Sequence, residues 1–484
     1  MTLRNKAIHG AKWSTAQHSI GQVIDFAIFI TLARMLGPEE FGLVAIAVVF
    51  ISFIAPFISQ GLGAAIIQRS EIEIAHLNTV FWSNLTLGVL LTALIASSSG
   101  WWANVFSDQR LESVLIWIAP CSLFYSLTIV QEAILRREIR FKTLAYRSLF
   151  SKTTGGVVAI VLAINDFGVW SLVIRQLTVS CMNVFLLWRI CDWRPQLQFS
   201  KKHFADLFPF GIRELGNKLL VFVNRRSDNL LIGYFLGPAS LGFYNIAYRF
   251  VFVVLQLVTK SVSQVGMPAF SRLQHIPKRL TRAFYDVTQI ITLLSFPIFI
   301  GMMFLATEIV VVFLGESWLP AIPVLQVLIL IGIAQSLLAP MVSVIIGVGK
   351  PGVRLKLQFV DSVLNLGGFF IAVHWGIVAV AASYVIIGFA LIPLWYRAIL
   401  RAIPVDNAEY LKTMKAPFWG TVMMTLSLAA LAIGFRGQFG SIGFMIMSVL
   451  VGAFAYTITV FLLYPATATK FIDLLKVLVV KSQT

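Results

Sequence analysis

Apolar residues come in long runs along this chain, separated by short polar gaps. A helix needs roughly 20 mostly apolar residues to cross a bilayer's hydrocarbon. Fourteen segments meet that length, near 14–36, 41–62, 77–100, 111–134, 147–165, 168–189, 209–232, 240–263, 284–305, 320–346, 354–374, 376–398, 416–435 and 441–464. The gaps between them alternate in charge. Basic clusters follow the fourth segment (Arg136, Arg137, Arg140, Lys142, Arg147), the sixth (Arg189, Arg194, Lys201, Lys202) and the eighth (Arg272, Lys278, Arg279, Arg282). They follow the tenth (Lys350, Arg354, Lys356) and the twelfth (Arg397, Arg401, Lys412, Lys415) as well. Only Arg34, Arg110 and Arg436 fall in the other set of gaps. Lys and Arg are retained on the cytoplasmic side, so the even gaps face the cytoplasm and both termini lie there. No gap is long enough to fold a soluble domain, which puts the function inside the membrane.

A repeat runs through this pattern at an offset of 200 residues. Residues 33–50 read ARMLGPEEFGLVAIAVVF and residues 233–250 read GYFLGPASLGFYNIAYRF. Leu36, Gly37, Pro38, Gly42, Ile46, Ala47 and Phe50 recur without a gap as Leu236, Gly237, Pro238, Gly242, Ile246, Ala247 and Phe250. Leu-Gly-Pro is a common break between helices, but the shared helix–turn–helix setting favours a true duplication. This predicts a six-helix lobe over 1–200, a second over 201–403, and two further helices with a tail over 404–484. Two repeats of six helices keep the same orientation, so they are related by an axis along the membrane normal, with a cavity between them.

Composition fits this picture. The chain has 484 residues, 58% hydrophobic and only 12% charged, with mean hydropathy +0.86; average proteins are about a quarter charged. The net charge of +17 follows from the basic gaps and the anionic lipid they meet. No soluble basic domain exists to bind nucleic acid, so none is expected as a partner. The N-terminal stretch is basic, but His18, Gln22 and Asp25 spoil it as a signal-peptide core, and it reads as a retained first segment. Cys121, Cys181 and Cys191 form neither a disulfide framework nor a metal motif. The six histidines are scattered with no pair at ligand spacing. No Walker, HExxH or GxSxG motif is present. The reading is therefore a non-enzyme with no metal or other cofactor, apart from a coupling proton or sodium ion.

The informative residues are the cations inside the apolar segments: Lys152, Arg175, Arg213, Lys218, Arg225, Arg226, Arg249 and Lys260. A cation at mid-bilayer costs about 2.5–3.5 kcal/mol on insertion scales and requires water, an acid or an anionic ligand. Glu214, Asp228, Asp25, Glu132 and Asp361 could neutralise some, yet they leave the segments net positive. In the seventh segment Glu214, Lys218, Arg225 and Asp228 share one helical face. In the first, Ser14, His18, Gln22 and Asp25 do the same, three of them at the 200-residue offset. Two facing polar stripes suit a water-filled cavity that binds an anion. Arg225 and Arg249 sit deepest, whereas Lys152, Arg213 and Lys260 lie nearer the interface, where snorkelling is an equal reading. Asp25 is either a coupling site or the holder of Arg225 or Lys218 when no substrate is bound. Asp228 and Asp361 (with Gln358 and Asn365 at helical spacing) are further coupling or gating candidates. The last two segments are uncharged, with small residues that suit close packing or a groove for an acyl or prenyl tail.

The stretches 33–50 with GLGAAIIQR (61–69), and 233–250 with MPAFSRLQ (267–274), resemble the Wzx-type polysaccharide repeat-unit flippases. These form a branch of the multidrug/oligosaccharidyl-lipid/polysaccharide exporter superfamily. The matching motifs are turns and connections, so they name the family better than the substrate. The resemblance implies an all-α membrane fold: two pseudo-symmetric six-helix bundles in a V, plus two C-terminal helices, working by alternating access. It implies a bacterial inner-membrane protein that flips oligosaccharides on undecaprenyl pyrophosphate for exopolysaccharide, capsule or O-antigen synthesis. Lipids, a polysaccharide polymerase and export machinery would be its partners. Arg225, Arg249, Lys218 and Arg175, with Arg226 and Lys152 beside them, would engage phosphate or acidic sugars, for which the Arg fork is suited. A cation-coupled multidrug antiporter and a peptidoglycan-precursor (lipid II) flippase remain as alternatives. The excess of intramembrane cations disfavours the first and does little to separate the second.

Overall fold

A computed structural model describes residues 20–469, with the backbone alone over 260–269. Both termini, the start of the first segment with Ser14 and His18, and the Lys260 side chain lie outside the described residues. The described residues are almost entirely helical. Helix α1 (20–35) leads through Leu36 and Gly37 into α2 (Pro38–Ser59), followed by α3 (Leu62–Gln68), α4 (Ile74–Val105), α5 (Arg110–Ile118), α6 (Pro120–Ser126), α7 (Ile129–Arg137), α8 (Phe141–Ile164) and α9 (Val169–Ile190). Helix α10 (Lys201–Leu273) is broken at Gly237. After it come α11 (Pro277–Phe304), α12 (Ala306–Phe313), α13 (Ala321–Gly347), α14 (Pro351–Ala372), α15 (Ile377–Leu400), α16 (Asn407–Phe435) and α17 (Ser441–Leu463).

Among the described residues, twelve helices are long and apolar enough to cross a membrane. One of them, Lys201–Thr259, covers two of the expected segments, because the chain needs only a break at Gly237 and no loop between them. The expected 111–134 segment is α5, α6 and α7 in succession, joined at Ala119 and at Leu127–Thr128. Residues 61–69, expected as a connection, instead form α3 after a turn through Gln60 and Gly61 (φ 46 and 69).

By packing, the chain divides into residues 1–245 and 246–484. In the first unit one apolar cluster joins α1, α8 and α9 through Ile28, Leu32, Ala159, Ala163 and Leu172. Another joins α3, α4, α7 and the start of α10 through Leu62, Ile66, Phe81, Val130 and Leu207. The second unit is centred on Phe284, Val344, Leu391, Trp395 and Ile399 of α11, α13 and α15. Large apolar side chains stay exposed along α14–α17, among them Ile371, Ile386, Leu426, Leu450 and Phe454. So many exposed aliphatics match hydrocarbon rather than water.

The repeat appears in three dimensions as reciprocal packing. A Cβ on Gly42 would lie 1.7 Å from the Pro238 carbonyl oxygen, and a Cβ on Gly242 would lie 1.9 Å from that of Pro38. Each copy's glycine thus admits the other copy's Leu-Gly-Pro backbone. The motif is a mutual contact as well as a turn, and only residues without a side chain fit it.

Candidate functional site

Three helices of the first unit bring charges together. Asp25 on α1 accepts from Lys152 Nζ of α8 at 2.5 Å and from Arg175 Nη2 of α9 at 3.3 Å. All three side chains are partly buried. Asp25 was expected either to couple ions or to hold Arg225 or Lys218; here it holds Lys152 and Arg175. One carboxylate against two cations leaves a net positive charge, with both cations on helices long and apolar enough to cross a membrane. The Arg175 Nε is buried with no hydrogen-bond partner, so part of that guanidinium's donor set is unused. An N–H in apolar surroundings without an acceptor is costly.

The expected stripe on α10 divides by role. Lys218 Nζ donates to Ser59 Oγ of α2 at 3.1 Å and is half-buried. Arg225 is exposed and Arg226 half-buried. Asp228 is buried and satisfied: its Oδ2 accepts from the Tyr244 hydroxyl at 3.0 Å and its Oδ1 from the Asn229 backbone N–H at 2.7 Å. Asn229 in turn donates to Asn245 Oδ1 at 3.2 Å. These bonds tie the residues before the Gly237 break to those after it, so Asp228 serves here as a brace across the kink. Two residues the sequence reading passed over share this unit. Asn84 and Gln131 are fully buried, and neither side-chain amide has a hydrogen-bond partner. For Asn84 the only signal was an amide inside a run as apolar as α4; Gln131, beside Glu132 in α7, gave none.

In the second unit, Arg249 is half-buried on α10. Asp361 of α14 accepts from Gln358 Nε2 at 3.1 Å and Asn365 Nδ2 at 2.7 Å, so the helical spacing of these three becomes a bonded set. Helices α11, α12, α16 and α17 line an open apolar cavity of about 790 Å³, with residues such as Leu293, Pro297, Met302, Met424, Leu428 and Val449 on its walls. The Tyr456 hydroxyl at its wall is tied to the Leu293 carbonyl at 2.8 Å, which leaves an almost wholly apolar lining.

Charges in the connections are paired by sign. Glu132 holds Arg136 at 2.6 Å and Arg147 at 3.2 Å. Arg137 donates to the carbonyls of Ile66, Arg69 and Ser70, closing the C-terminus of α3 where a cation is favoured. Two exceptions to the alternating charge pattern are neutralised: Arg110 by Glu39 at 2.5 Å and Asp108 at 2.8 Å, and Arg436 by Glu308 at 2.9 Å. Burial raises the Asp108 carboxyl, but the hydrogen bonds and charge of Arg110 outweigh it and hold the group below the usual carboxylate range.

Residues 31–323 match the profile of the polysaccharide biosynthesis protein family. The chain belongs to that family. The matched region contains both copies of the Leu-Gly-Pro unit. Among relatives, the teichuronic acid biosynthesis protein TuaB of Bacillus subtilis is 28% identical over 488 residues, covering 97% of this chain and 98% of its own. The succinoglycan biosynthesis transport protein ExoT of Rhizobium meliloti is 25% identical over 473 residues, covering 96% and 94%. A solved structure of the lipid II flippase MurJ in an inward closed conformation superposes with a TM-score of 0.77 at 15% identity, covering 94% of this chain and 99% of its own. At that identity the likeness is one of fold. The protein is thus a multi-pass membrane member of the polysaccharide biosynthesis family.

Proposed function

We propose that this protein moves lipid-linked oligosaccharide repeat units across the bacterial inner membrane, with both termini cytoplasmic, for the assembly of a surface polysaccharide. The observation that carries the reading is the Asp25–Lys152–Arg175 cluster, a net cationic group shared by α1, α8 and α9. A polyprenyl pyrophosphate needs such cations, and its sugars need a polar path. Relatives across nearly the full length are named for teichuronic acid biosynthesis and succinoglycan transport, which supports the substrate class. In this reading fourteen helices form two six-helix lobes and a C-terminal pair, and the lobes alternate access to the two sides. Arg225, Arg249, Lys218 and Arg226 engage phosphate or acidic sugar along the path, and the polyprenyl tail lies in the apolar cavity beside α16 and α17. A proton or sodium gradient drives the cycle, with Asp25, Asp228 or Asp361 as the coupling group. A polymerase and export machinery receive the product.

The test is to delete the gene and isolate the undecaprenyl-linked intermediates. A pyrophosphate-linked repeat unit trapped on the cytoplasmic leaflet, and cleared by the wild-type gene, is the expected result. Normal intermediates together with new sensitivity to cationic dyes would replace it with an antiporter. Arg225→Ala is expected to lower polymer output at least tenfold at normal protein level; undiminished output removes Arg225 from the path.

A further inference from the structure

Two histidines that are far apart in sequence meet on the face that carries the basic clusters. Glu73 caps α4, His76 lies in its first turn, and His203 and Asp206 lie in the first turns of α10. The His76 and His203 rings stand edge to face with centroids 4.3 Å apart. One nitrogen of each ring and a Glu73 carboxylate oxygen all lie within 4.8 Å of one another. His203 Nε2 is 3.3 Å from Glu73 Oε2. In a tetrahedral zinc site, bonds of about 2.0–2.1 Å put neighbouring ligand atoms about 3.4 Å apart. The His203–Glu73 pair therefore already has the spacing of one tetrahedral edge.

We infer that Glu73, His76 and His203 form a site for a transition-metal dication of the zinc class. Two imidazoles and one carboxylate are a borderline-soft donor set that suits zinc, cobalt or nickel over magnesium or calcium. The groups behind the ligands are in place. The Glu73 backbone N–H donates to His76 Nδ1 at 3.2 Å, so the ring proton sits on Nε2, which faces Asp206 Oδ2 at 3.3 Å. A metal taking the Nδ1 lone pair leaves that Nε2–H to Asp206 bond intact. The result is the carboxylate–histidine–metal order that orients ligating histidines. Asp206 is itself held by Arg69 at 2.7 Å, which keeps it behind His76. On His203, Nε2 faces Glu73 and Nδ1 lies 2.7 Å from Ser200 Oγ, a group that accepts the ring proton when Nε2 ligates. A metal at His76 Nδ1 displaces one hydrogen bond, the one from the Glu73 backbone N–H; the Glu73 side chain is 72% exposed, while His76 is only 2% exposed. That exposure is also the ion's way in, and a fourth position remains for water. A bound ion ties the N-terminus of α4 to the first turn of α10. The site is independent of the transport reading and of the cations within the membrane.

The test uses full-length protein in detergent, without a polyhistidine tag, stripped with a chelator and titrated with Co²⁺. One equivalent is expected to bind with the intense visible bands of four-coordinate cobalt and to be displaced by one equivalent of Zn²⁺, with the Tm rising. His76→Gln and His203→Gln are each expected to weaken binding at least 100-fold. Asp206→Asn, acting through His76, should weaken it about 10–100-fold. His374→Gln, elsewhere in the chain, should change nothing. Circular dichroism of each variant reports folding separately. Absence of saturable one-to-one binding by the wild-type protein overturns the site, as does binding that survives the two His→Gln changes combined. The wild-type titration decides even if a variant fails to fold.

Discussion

Residues 20–50 and 220–250 are two copies of one helix–break–helix unit, and their interiors solve burial in opposite ways. In the first copy Ile28 lies in the apolar cluster with Leu32, Ala159 and Leu172, and Val44 packs against that cluster. In the second, position 228 is Asp and position 244 is Tyr, both buried and bonded to each other at 3.0 Å. The breaks differ too. Gly37 is extended (φ −77, ψ 167), a conformation any residue adopts, while Gly237 has φ 79, which glycine alone takes at little cost. Charge has also separated: Asp25 corresponds to Arg225, the one gathering two cations and the other exposed. What stays alike is the backbone contact, with Gly42 against Pro238 and Gly242 against Pro38. Duplication has kept the steric frame and let the polar chemistry diverge, because a side chain inside a carbonyl oxygen has no remedy, whereas a buried polar group needs only a partner.

The frame is where the largest effects are expected. Gly42→Ala or Gly242→Ala places a methyl inside a backbone carbonyl, which cannot rotate away. Each should cost at least the ~3 kcal/mol at the top of the usual overpacking range, visible as loss of monodisperse protein after detergent extraction. Gly434→Ala has nothing within 4 Å of its new methyl and should extract like wild type. If Gly42→Ala matches it, the mutual contact is wrong.

Next comes Asp25→Asn, which strands Lys152 and Arg175 without their acid. Removing one partner of a buried pair costs about 3–5 kcal/mol; Lys152 is 35% exposed, so the lower end is expected. Thermal unfolding should show the drop, and Lys152→Met added to Asp25→Asn should recover part of it. No recovery would mean that Arg175 alone depends on Asp25.

A smaller effect separates the two interiors. Tyr244→Phe removes the donor to Asp228 and should cost about 1–3 kcal/mol. Combined with Asp228→Asn, the two changes should be non-additive by more than about 0.5 kcal/mol. Strict additivity would deny the brace across the kink. The smallest effect belongs to Arg110→Ala, a half-exposed pair worth at most about 1 kcal/mol. Because Arg110 lowers the Asp108 carboxyl, that stabilisation exists above the unfolded-state pKa of Asp108 and disappears as pH falls through the folded value. The wild-type and variant melting curves should therefore converge in acid.

Much of the fold was legible in advance. Apolar runs long enough to span a membrane became helices, and the 200-residue repeat became a physical contact. The extents were less legible. Residues 233–239 required no loop, because one glycine, Gly237, breaks the helix within a single residue, and α3 formed where a connection was expected, after a two-residue turn at Gln60 and Gly61. At the candidate site the polar residues were visible, but their partners were not. Asp25 meets cations 127 and 150 residues away, and Asp228, grouped with its neighbours on α10, instead bonds to a tyrosine beyond the break.

Taken by itself, the sequence determined which stretches prefer hydrocarbon, which gaps hold the basic residues and where the chain repeats. Each of these is set by local composition and the energy of a residue in lipid or water, and needs no knowledge of neighbours in space. Only the tertiary structure decided that Lys152 and Arg175 share Asp25, that each glycine seats the other copy's proline carbonyl, and that His76 meets His203. Those outcomes depend on how helices rotate and pack against one another, and a rotation of one residue position turns a side chain by about 100°.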